Sequence, residues 1–318
     1  MSAQRNVLGI EIGGTKLQIV AGDVSGAIID RQRFIVDRNR GGEGIRRQLQ
    51  EALTGLVSKW KPEAIGAGFG GPLDWRTGRI ARSHHVEGWS DFELGAWLSA
   101  TTGVPAVVDN DANVAALGEA RRGAGAGFNP VFYVTLGSGV GGGLVVDGKI
   151  YHGAKPGESE LGHVRMDRQG TILENRCSGW AVDAKIRRLK ETGASSLFRE
   201  WIGDAVGGEA KWLAKALENS DAAALRILNE TAEDLAFGLS HVTHLFHPER
   251  IVVGGGLSLV GEPLRSAVAR ALPQFLMEAF HPGPDVGLAA LGEDAVPVGA
   301  LLLAVGRGAV GGGAGSNQ

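Results

Sequence analysis

The chain has very little cysteine: Cys177 is the only one in 318 residues. A single cysteine excludes an internal disulfide framework and any metal site made of several cysteines from one chain. It suits a reducing compartment, so we expect a cytoplasmic protein. The chain also has no run of about 18 apolar residues, and its first segment, MSAQRNVLGIEIGG, lacks the apolar core of a signal peptide. We expect neither a membrane span nor N-terminal processing.

The chain also carries no large net charge of either sign. The formal net charge is −3 at pH 7, which gives no electrostatic attraction toward nucleic acid or an anionic membrane. We therefore expect a small-molecule partner.

Glycine is the residue in excess, with 51 of 318 positions against a usual share of ~7 %. The last stretch, GRGAVGGGAGSNQ from about residue 306, is typical of a disordered tail. Most other glycine clusters follow apolar runs that are typical of strands. This placement favours close approach of the backbone to a ligand.

The order of the periodic segments predicts an α/β protein. Strands at 6–12 and 16–23 flank a glycine turn. The segment 130–153 repeats this strand, turn and strand, with Gly137 about 124 residues after Gly13. A recurrence at that distance indicates two duplicated α/β domains.

Three glycine turns follow apolar strands: IEIGGTK (10–16), TLGSGVGGG (135–143) and VVGGGLS (252–258). Several backbone N–H groups that converge on one anion form a phosphate site, and glycine permits the dihedral angles that this requires. One such turn is most often an ordinary tight turn, but three at strand ends favour a nucleotide site.

Two familiar nucleotide motifs do not fit. The P-loop pattern is absent. A GxGxxG pattern occurs at Gly137, Gly139 and Gly142, but LVVDGKIY follows it. That segment predicts a strand where a dinucleotide site needs a helix. A Rossmann dehydrogenase is therefore not expected.

Acid and base candidates lie in three polar segments, DNDAN (109–113), GESELGHVRMD (157–167) and LENRCSGW (173–180). A carboxylate within hydrogen-bond reach can take a proton from a sugar hydroxyl, and carboxylates and imidazoles bind vicinal hydroxyls. Glu160 and His163 are three residues apart, which on a turn or helix places both on one face. Asp109 and Asp111 have an alternative interpretation as the polar start of the following helix, with Asp111 or Asn113 as its cap.

Four tryptophans have two interpretations, as core residues or as a stacking platform for a ligand. The core is favoured for all four: Trp75, Trp89, Trp97 and Trp180.

Seven segments, in order, resemble the ROK family of sugar kinases and repressors. They are GIEIGGTK, GAGFGGPLDWRTG, VVDNDANVAALGEA, VTLGSGVGGGLVVDGKIYHGA, GESELGHV, RIVVGGG and AALGEDAVPVGALLLA. The resemblance extends from residue 7 to about 304, and the ordered set is far more specific than any single segment.

The resemblance implies an α/β protein with the actin-like ATPase, sugar-kinase (ribonuclease H-like) fold, in which two α/β domains surround a cleft. Residues 1–118 with 297–318 would form a small domain that holds the first phosphate loop and the general base. Residues 119–296 would form a large domain that holds the second phosphate loop, the ELGH segment and the adenosine loop. Family precedent also implies a homodimer.

The resemblance also implies the roles of individual residues. Asp111 matches the general base, and the hexose would be bound by Gly71, Asn110, Asp111, Glu160, His163 and Glu174. ATP would be bound by three groups of residues: Gly13, Gly14, Thr15 and Lys16; Gly137, Ser138 and Gly139; and Gly254, Gly255 and Gly256.

Two positions depart from the family pattern. Glu11 replaces the usual aspartate before the first glycine pair, so its expected role is an indirect contact with Mg²⁺. The segment CxCGxxGC, which with a histidine binds structural zinc, is missing, and VRMDRQGTIL stands between His163 and Glu174. A structural zinc needs four ligands, so no zinc is expected and packing must position His163.

The expected activity is ATP- and Mg²⁺-dependent phosphorylation of a hexose at its 6-hydroxyl, with glucose favoured. N-acetylglucosamine, N-acetylmannosamine and fructose are alternative acceptors, and polyphosphate is an alternative donor. A sugar-responsive regulator is not favoured, because no helix-turn-helix precedes the first strand, and a catalytically inactive sugar-binding protein is not favoured because Asp111 and the glycine turns are present.

Overall fold

The computed structural model describes residues 5–14, 16–81, 87–155, 157, 159–191, 196–203 and 206–306. Two compact units divide the chain. The first comprises Met1–Ala126, Gly148–Glu158 and Glu293–Gln318, and the second comprises Gly127–Asp147 and Ser159–Gly292. Within the described residues no helix combines the length and apolar character needed to cross a bilayer. Thr15 and the expected tail after Gly306 lie outside the described residues.

The first unit contains eight strands and four α-helices among its described residues. The strands are β1 (Asn6–Ile12), β2 (Lys16–Asp23), β3 (Ile28–Ile35), β4 (Ile65–Phe69), β5 (Leu73–Asp74), β6 (Arg79–Ile80), β7 (Ala106–Asn110) and β10 (Lys149–Ile150). The helices are α1 (Gly41–Trp60), α2 (Leu94–Thr102), α3 (Asp111–Arg122) and α10 (Ala295–Gly306).

The main sheet of this unit has the strand order β3-β2-β1-β4-β7. Strand β2 is antiparallel to β1 and β3, whereas β1, β4 and β7 run parallel. Strands β1 and β4 are almost continuously apolar and buried, as expected for strands that are covered on both faces. Strands β1, β4 and β7 therefore end at the same edge of the sheet. The candidate site residues of the first unit lie at or directly after these strand ends.

Helix α10 packs against α3, β1 and β4 with unusually close backbone contacts. A Cβ atom on Gly66 would overlap the backbone oxygen of Ala300, and one on Gly299 would overlap the backbone oxygen of Val114. A Cβ on Gly118 would similarly overlap the oxygen of Ala295. Glycine is required at these positions because the elements meet backbone to backbone.

The second unit contains four strands and six α-helices among its described residues. The strands are β8 (Val131–Leu136), β9 (Val140–Val146), β11 (Arg250–Gly254) and β12 (Asp285–Leu288). The helices are α4 (Glu174–Cys177), α5 (Gly179–Glu191), α6 (Leu197–Ile202), α7 (Leu213–Glu218), α8 (Ala222–Phe246) and α9 (Glu262–Ala271).

Strands of the second unit lie in the order β9-β8-β11-β12. Strand β9 is antiparallel to β8, and β8, β11 and β12 run parallel. This is the order and direction of β2-β1-β4-β7 in the first unit, so the repeat seen in the sequence corresponds to a repeated sheet topology. Phe132, Val134 and Leu136 of β8 and the buried apolar side chains of α8 belong to one large core of this unit.

Candidate active site

The polar residues of the first unit are aligned by the register of its parallel strands. Glu11 pairs with Gly68, and Gly68 pairs with Asp109. Paired positions in a sheet project to the same face, and two strand spacings amount to roughly 10 Å. Glu11 and Asp109 therefore lie on one face at the carboxyl edge, with a glycine between them.

Glu11 is a largely buried carboxylate at the end of β1. Gln18 donates a hydrogen bond to its Oε2, and Lys16 Nζ lies 3.6 Å from the same oxygen. Burial raises the pKa of Glu11, while the hydrogen bond from Gln18 and the charge of Lys16 act in the opposite direction. The turn that follows is closed by the Gly13 N–H, which donates to the Lys16 carbonyl at 2.8 Å.

Asp111 is the first residue of α3, and Asn110 is the cap of that helix. The Asn110 Oδ1 accepts hydrogen bonds from the N–H groups of Ala112 at 2.8 Å and Asn113 at 3.3 Å. The expectation that Asp111 or Asn113 caps the helix is therefore wrong: Asn110 has the extended backbone that a cap needs. Asp111 Oδ1 accepts from the Ala112 N–H at 2.9 Å.

Gly70 approaches the Asp111 carboxylate, and the Gly13 turn lies next to Gly70. A Cβ atom on Gly70 would lie 3.2 Å from Asp111 Oδ2 and 3.8 Å from the Cα of Gly13. Asn110 Nδ2 also donates to the carbonyl of Gly71 at 3.3 Å. The structure thus brings together Asp111, Asn110, Gly71 and the Gly13 turn within the first unit.

Asp109 is buried, and both of its carboxylate oxygens have hydrogen-bond partners. Its Oδ1 accepts from the Asn110 N–H at 2.8 Å and from Asn113 Nδ2 at 3.1 Å. Its Oδ2 lies 2.6 Å from His152 Nε2, and the His152 ring stacks on Trp75 with centroids 4.1 Å apart. Because a carboxylate can only accept, His152 Nε2 carries the proton of this bond. Asp109 therefore anchors the segment around His152 to the end of β7.

The second unit carries the other two glycine turns. The Gly137 N–H donates to the Gly139 carbonyl at 3.0 Å, and the Gly137 carbonyl accepts from the Gly179 N–H at 2.7 Å. Ser138, at the tip of this turn, is exposed. Gly255 has a φ of 80°, and a Cβ atom there would lie 2.6 Å from the backbone nitrogen of Leu136. The 254–256 turn therefore packs on Leu136, the last residue of β8, directly before the 137–139 turn.

Glu174 supports the 137–139 turn from α4. Its Oε2 accepts a hydrogen bond from the Val140 N–H at 2.9 Å, and a Cβ on Gly139 would overlap the same oxygen. Glu174 therefore contacts the turn that is predicted to bind phosphate. The sequence predicts a different role for it, which is binding of the sugar.

Glu160 and His163 lie on one short turn, as their spacing predicts. The 3-10 helix Leu161–His163 begins after Glu160, and the His163 N–H donates to the Glu160 carbonyl at 3.0 Å. Both side chains are exposed. Gly162 allows this turn to sit directly on β9, because a Cβ there would overlap the Val140 carbonyl oxygen.

A hairpin occupies the place of the missing zinc segment. The Leu173 N–H donates to the Val164 carbonyl at 3.0 Å, and the Met166 N–H donates to the Thr171 carbonyl at 2.9 Å. Asp167 Oδ1 closes the turn by accepting from the N–H groups of Gly170 and Thr171. The hydrogen bond from the Thr171 side chain holds the pKa of Asp167 below its ordinary value. Backbone pairing therefore fixes the chain that follows His163.

Cys177 is fully buried in α4, and its Sγ lies 3.6 Å from the carbonyl of Thr231. Burial raises the pKa of this thiol, so it is a packing residue. Among the described residues, no three histidine, cysteine or acidic side chains form a metal-binding group.

A cavity of about 440 Å³ opens beside the two turns of the second unit. Gly137, Ser138 and Gly256 line it together with Trp180 and Leu259. The expectation that all four tryptophans belong to the core is wrong for Trp180, whose relative exposure is 62 %, whereas Trp89 is 1 % exposed.

A family model described as "ROK family" matches residues 7–307. The chain belongs to the ROK family. The glucokinase of Halalkalibacterium halodurans is 31 % identical over 314 residues, which cover 93 % of this chain and 94 % of that protein.

Solved ROK structures share the fold. The ROK family glucokinase from Streptomyces griseus, in complex with glucose and AMPPNP, is 30 % identical, with a TM-score of 0.82 and coverage of 94 % of this chain and 99 % of that one. The ROK hexokinase from Thermus thermophilus is 28 % identical, with a TM-score of 0.80 and coverage of 96 % and 100 %. The protein therefore has the actin-like ATPase fold of ROK sugar kinases.

The sequence pattern did not indicate that His152 is the partner of Asp109. Position 152 lies 43 residues after Asp109, and nothing in the local pattern around YHGA indicates a carboxylate partner. The signal that could have found it is the unexplained carboxylate at Asp109, because buried charges need a partner.

We expect His152→Ala to destabilise the protein by about 2 kcal/mol, because it leaves the buried Asp109 Oδ2 without its donor. The midpoint of urea denaturation measures this loss. Lys155→Ala is the matched control, since Lys155 belongs to the same segment but forms an exposed ion pair with Asp74, and its midpoint should stay unchanged. Equal midpoints for both variants would show that the His152 bond does not stabilise the fold.

Proposed function

We propose that this ROK protein is an ATP-dependent hexose kinase that transfers the γ-phosphoryl group to the 6-hydroxyl of a hexose, with glucose as the preferred acceptor. The observation that carries the proposal is the shared fold with a 30 % identical ROK glucokinase that holds glucose and AMPPNP. The 31 % identical glucokinase relative supports the same acceptor.

Asp111 is the proposed general base. The hexose O6 attacks the γ-phosphorus, its proton passes to the Asp111 carboxylate, and the bond between the γ-phosphorus and the bridging oxygen breaks to release ADP. Support comes from the Asn110 cap, which fixes the start of α3, and from Gly70, whose backbone lies close to the carboxylate. A base on a rigid helix start is held in a productive position.

The glycine turns are proposed to bind the phosphates of ATP through backbone N–H groups. In the first unit this role falls to Gly13, Gly14, Thr15 and Lys16, and in the second unit to Gly137, Ser138 and Gly139, with Gly254–Gly256 toward the nucleoside. Phosphoryl transfer requires mainly alignment and charge neutralisation. The exposed tip at Ser138 and the ammonium group of Lys16 fit that requirement.

Mg²⁺ fits the residues present. Magnesium is held by one or two carboxylates together with substrate phosphates and water, and Glu11 supplies a carboxylate next to the Gly13 turn. When bound, the ion neutralises charge on the triphosphate. Glu11 is proposed to contact it indirectly, and the hydrogen bond from Gln18 keeps the Glu11 carboxylate oriented.

The hexose hydroxyls are proposed to be bound by Asn110 and Gly71 in the first unit and by Glu160, His163 and Glu174 in the second. The exposed side chains of Glu160 and His163 support this role, because their turn is fixed by β9 and by the hairpin that follows. A cytoplasmic homodimer is proposed from the family resemblance and from the single cysteine.

A coupled assay of ADP release tests the proposal with glucose, mannose, fructose, N-acetylglucosamine and N-acetylmannosamine as acceptors. We expect the highest kcat/KM with glucose and the product to be the 6-phosphate. A higher kcat/KM with an N-acetylhexosamine or with fructose would identify that sugar as the preferred acceptor in place of glucose. The absence of ADP release with all five sugars would refute the kinase, provided that polyphosphate also fails as donor.

A further inference from the structure

His152 is held both at one edge of its ring and on one face. Its Nε2 donates to Asp109 Oδ2 at 2.6 Å, and its ring stacks on Trp75 with centroids 4.1 Å apart. The side chain of Asp109 is 4 % exposed and that of His152 is 15 % exposed. A side chain that is fixed in this way has one orientation, which is what a residue needs if it is to hold others in place.

The second oxygen of Asp109 extends this restraint to the start of α3. Asp109 Oδ1 accepts from the Asn110 N–H at 2.8 Å and from Asn113 Nδ2 at 3.1 Å. Asn113 is buried, so its amide nitrogen cannot exchange this bond for one with bulk water. Asp109 therefore holds a residue on each side of Asp111, the proposed base.

Asn110 has little hydrogen-bonding capacity left for a ligand. Its Oδ1 accepts from the N–H groups of Ala112 and Asn113, which uses both lone pairs of an amide oxygen. One hydrogen of its Nδ2 is donated to the Gly71 carbonyl at 3.3 Å. Within the part of the chain that the structure describes, the second Nδ2 hydrogen has no acceptor. Asn110 therefore presents one donor and no acceptor to a hexose.

This polarity is complementary to that of Asp111. A hydroxyl group that accepts a hydrogen bond from Asn110 keeps its own proton for another partner, and a carboxylate can only accept. Asn110 and Asp111 are adjacent at the start of α3. The pair is therefore matched to hydroxyl groups, which both accept and donate, as long as Asn110 keeps its orientation.

We propose that His152 is a positioning residue for the acceptor: through Asp109 it keeps Asn110 and Asp111 in the orientation that binds and activates hexose hydroxyls. The inference rests on the proposed kinase function and goes beyond it, because it gives His152 a role in the reaction that requires no contact with either substrate. The effect falls on the acceptor, since none of the bonds in this network involves a glycine turn that is proposed to bind ATP.

His152→Phe is the direct test, because phenylalanine keeps a ring beside Trp75 and removes the donor to Asp109. We expect kcat to fall by about 10- to 100-fold, up to the effect that a displacement of ~1 Å has on aligned reactants. The KM for glucose should rise by roughly 2- to 10-fold, as expected when one hydrogen bond is weakened. The KM for ATP should stay unchanged.

Two amide variants distinguish positioning from packing. The nitrogen of glutamine in His152→Gln lies near the place of Nε2 and can donate to Asp109, whereas asparagine in His152→Asn is one methylene shorter. Both lose the stack on Trp75. We expect glutamine to recover most of kcat and asparagine to resemble phenylalanine. If His152→Phe does not fold, this comparison decides alone, and equal losses of kcat in the two amide variants would contradict the positioning role.

Ser196→Ala is the matched control, because it also removes a side-chain donor from a buried carboxylate. Ser196 Oγ donates to Asp221 Oδ2 at 3.1 Å, and Asp221 is buried and caps α8 as Asn110 caps α3. Ser196 and Asp221 lie in the second unit, and neither is a proposed ligand. This variant should lower the urea midpoint and leave kcat and both KM values unchanged.

Calorimetric binding of glucose separates the failure of this inference from that of the kinase proposal. If the wild-type protein binds glucose without turnover, and His152→Phe weakens that binding while His152→Gln restores it, the positioning role stands and the kinase proposal fails. If glucose is turned over and His152→Phe keeps the wild-type kcat and glucose KM, the positioning role is wrong. A fall in kcat of the same size in Ser196→Ala would also overturn it, because kcat would then only follow stability.

Discussion

Asp111→Asn is expected to lower kcat by about 10²- to 10⁴-fold, the usual contribution of a general base. An amide cannot accept the proton of the hexose 6-hydroxyl, although it keeps the size of the carboxylate. The fold should persist, since the side-chain oxygen of asparagine can still accept the hydrogen bond from the Ala112 N–H. Steady-state ADP release at saturating hexose and ATP measures the loss.

The matched control is Asp91→Asn, which makes the same chemical change at an exposed residue of the first unit. Asp91 has a φ of 60°, a conformation that asparagine also adopts. It pairs with Arg79 at the surface, so kcat should be unaffected. Turnover of Asp111→Asn within a few-fold of the wild type, with an unchanged circular dichroism spectrum, would remove Asp111 from the role of base.

Gly299→Ala is expected to destabilise the protein by about 3 kcal/mol or more, as severe overpacking of a core does. The added methyl group would overlap the backbone oxygen of Val114 in α3. A backbone atom cannot rotate away as a flexible side chain can, so α10 or α3 has to shift. The urea midpoint and the m-value measure the effect.

Gly55→Ala is the control for Gly299→Ala. Gly55 lies inside α1, and a Cβ atom there meets nothing within 4 Å. Alanine in a helix interior is favoured over glycine by roughly 0.5–1 kcal/mol, so this variant should be more stable than the wild type. A loss of stability of equal size at both positions would contradict the close-packing argument. Gly118→Ala, which meets Ala295 in the same interface, provides a second measurement if Gly299→Ala does not fold.

Local pattern was sufficient to predict several strands and the glycine turns. Apolar runs that end in glycine predicted β1, β8 and β11, and the spacing of Gly13 and Gly137 predicted a repeat that the two sheets display. These features depend on the types of residues that are neighbours in the chain, and a single sequence shows those directly.

Contacts between distant residues were not predictable in the same way. The partner of Asp109 is His152, and its position depends on how the 148–158 segment folds back within the first unit. Tryptophan is a residue type that favours the core, but Trp180 lines the cavity and is exposed. That position depends on how the surrounding elements pack. The cap of α3 was assigned to the wrong residue because Asn110, Asp111 and Asn113 are all good caps, and backbone dihedral angles decide among them.

The glycine contacts of α10 have a consequence for how this protein could acquire a different sugar preference. Helix α3, which begins at Asp111, packs backbone to backbone against α10 at Gly118 and Gly299, where a side chain would overlap the neighbouring helix. The 164–173 hairpin after His163 is instead held by its own hydrogen bonds. We expect substitutions in that hairpin to change the surroundings of His163, a proposed hexose ligand, and to leave the packing of α3 behind Asp111, the proposed base, intact. We therefore expect acceptor choice and catalytic rate to be separately adjustable in this protein.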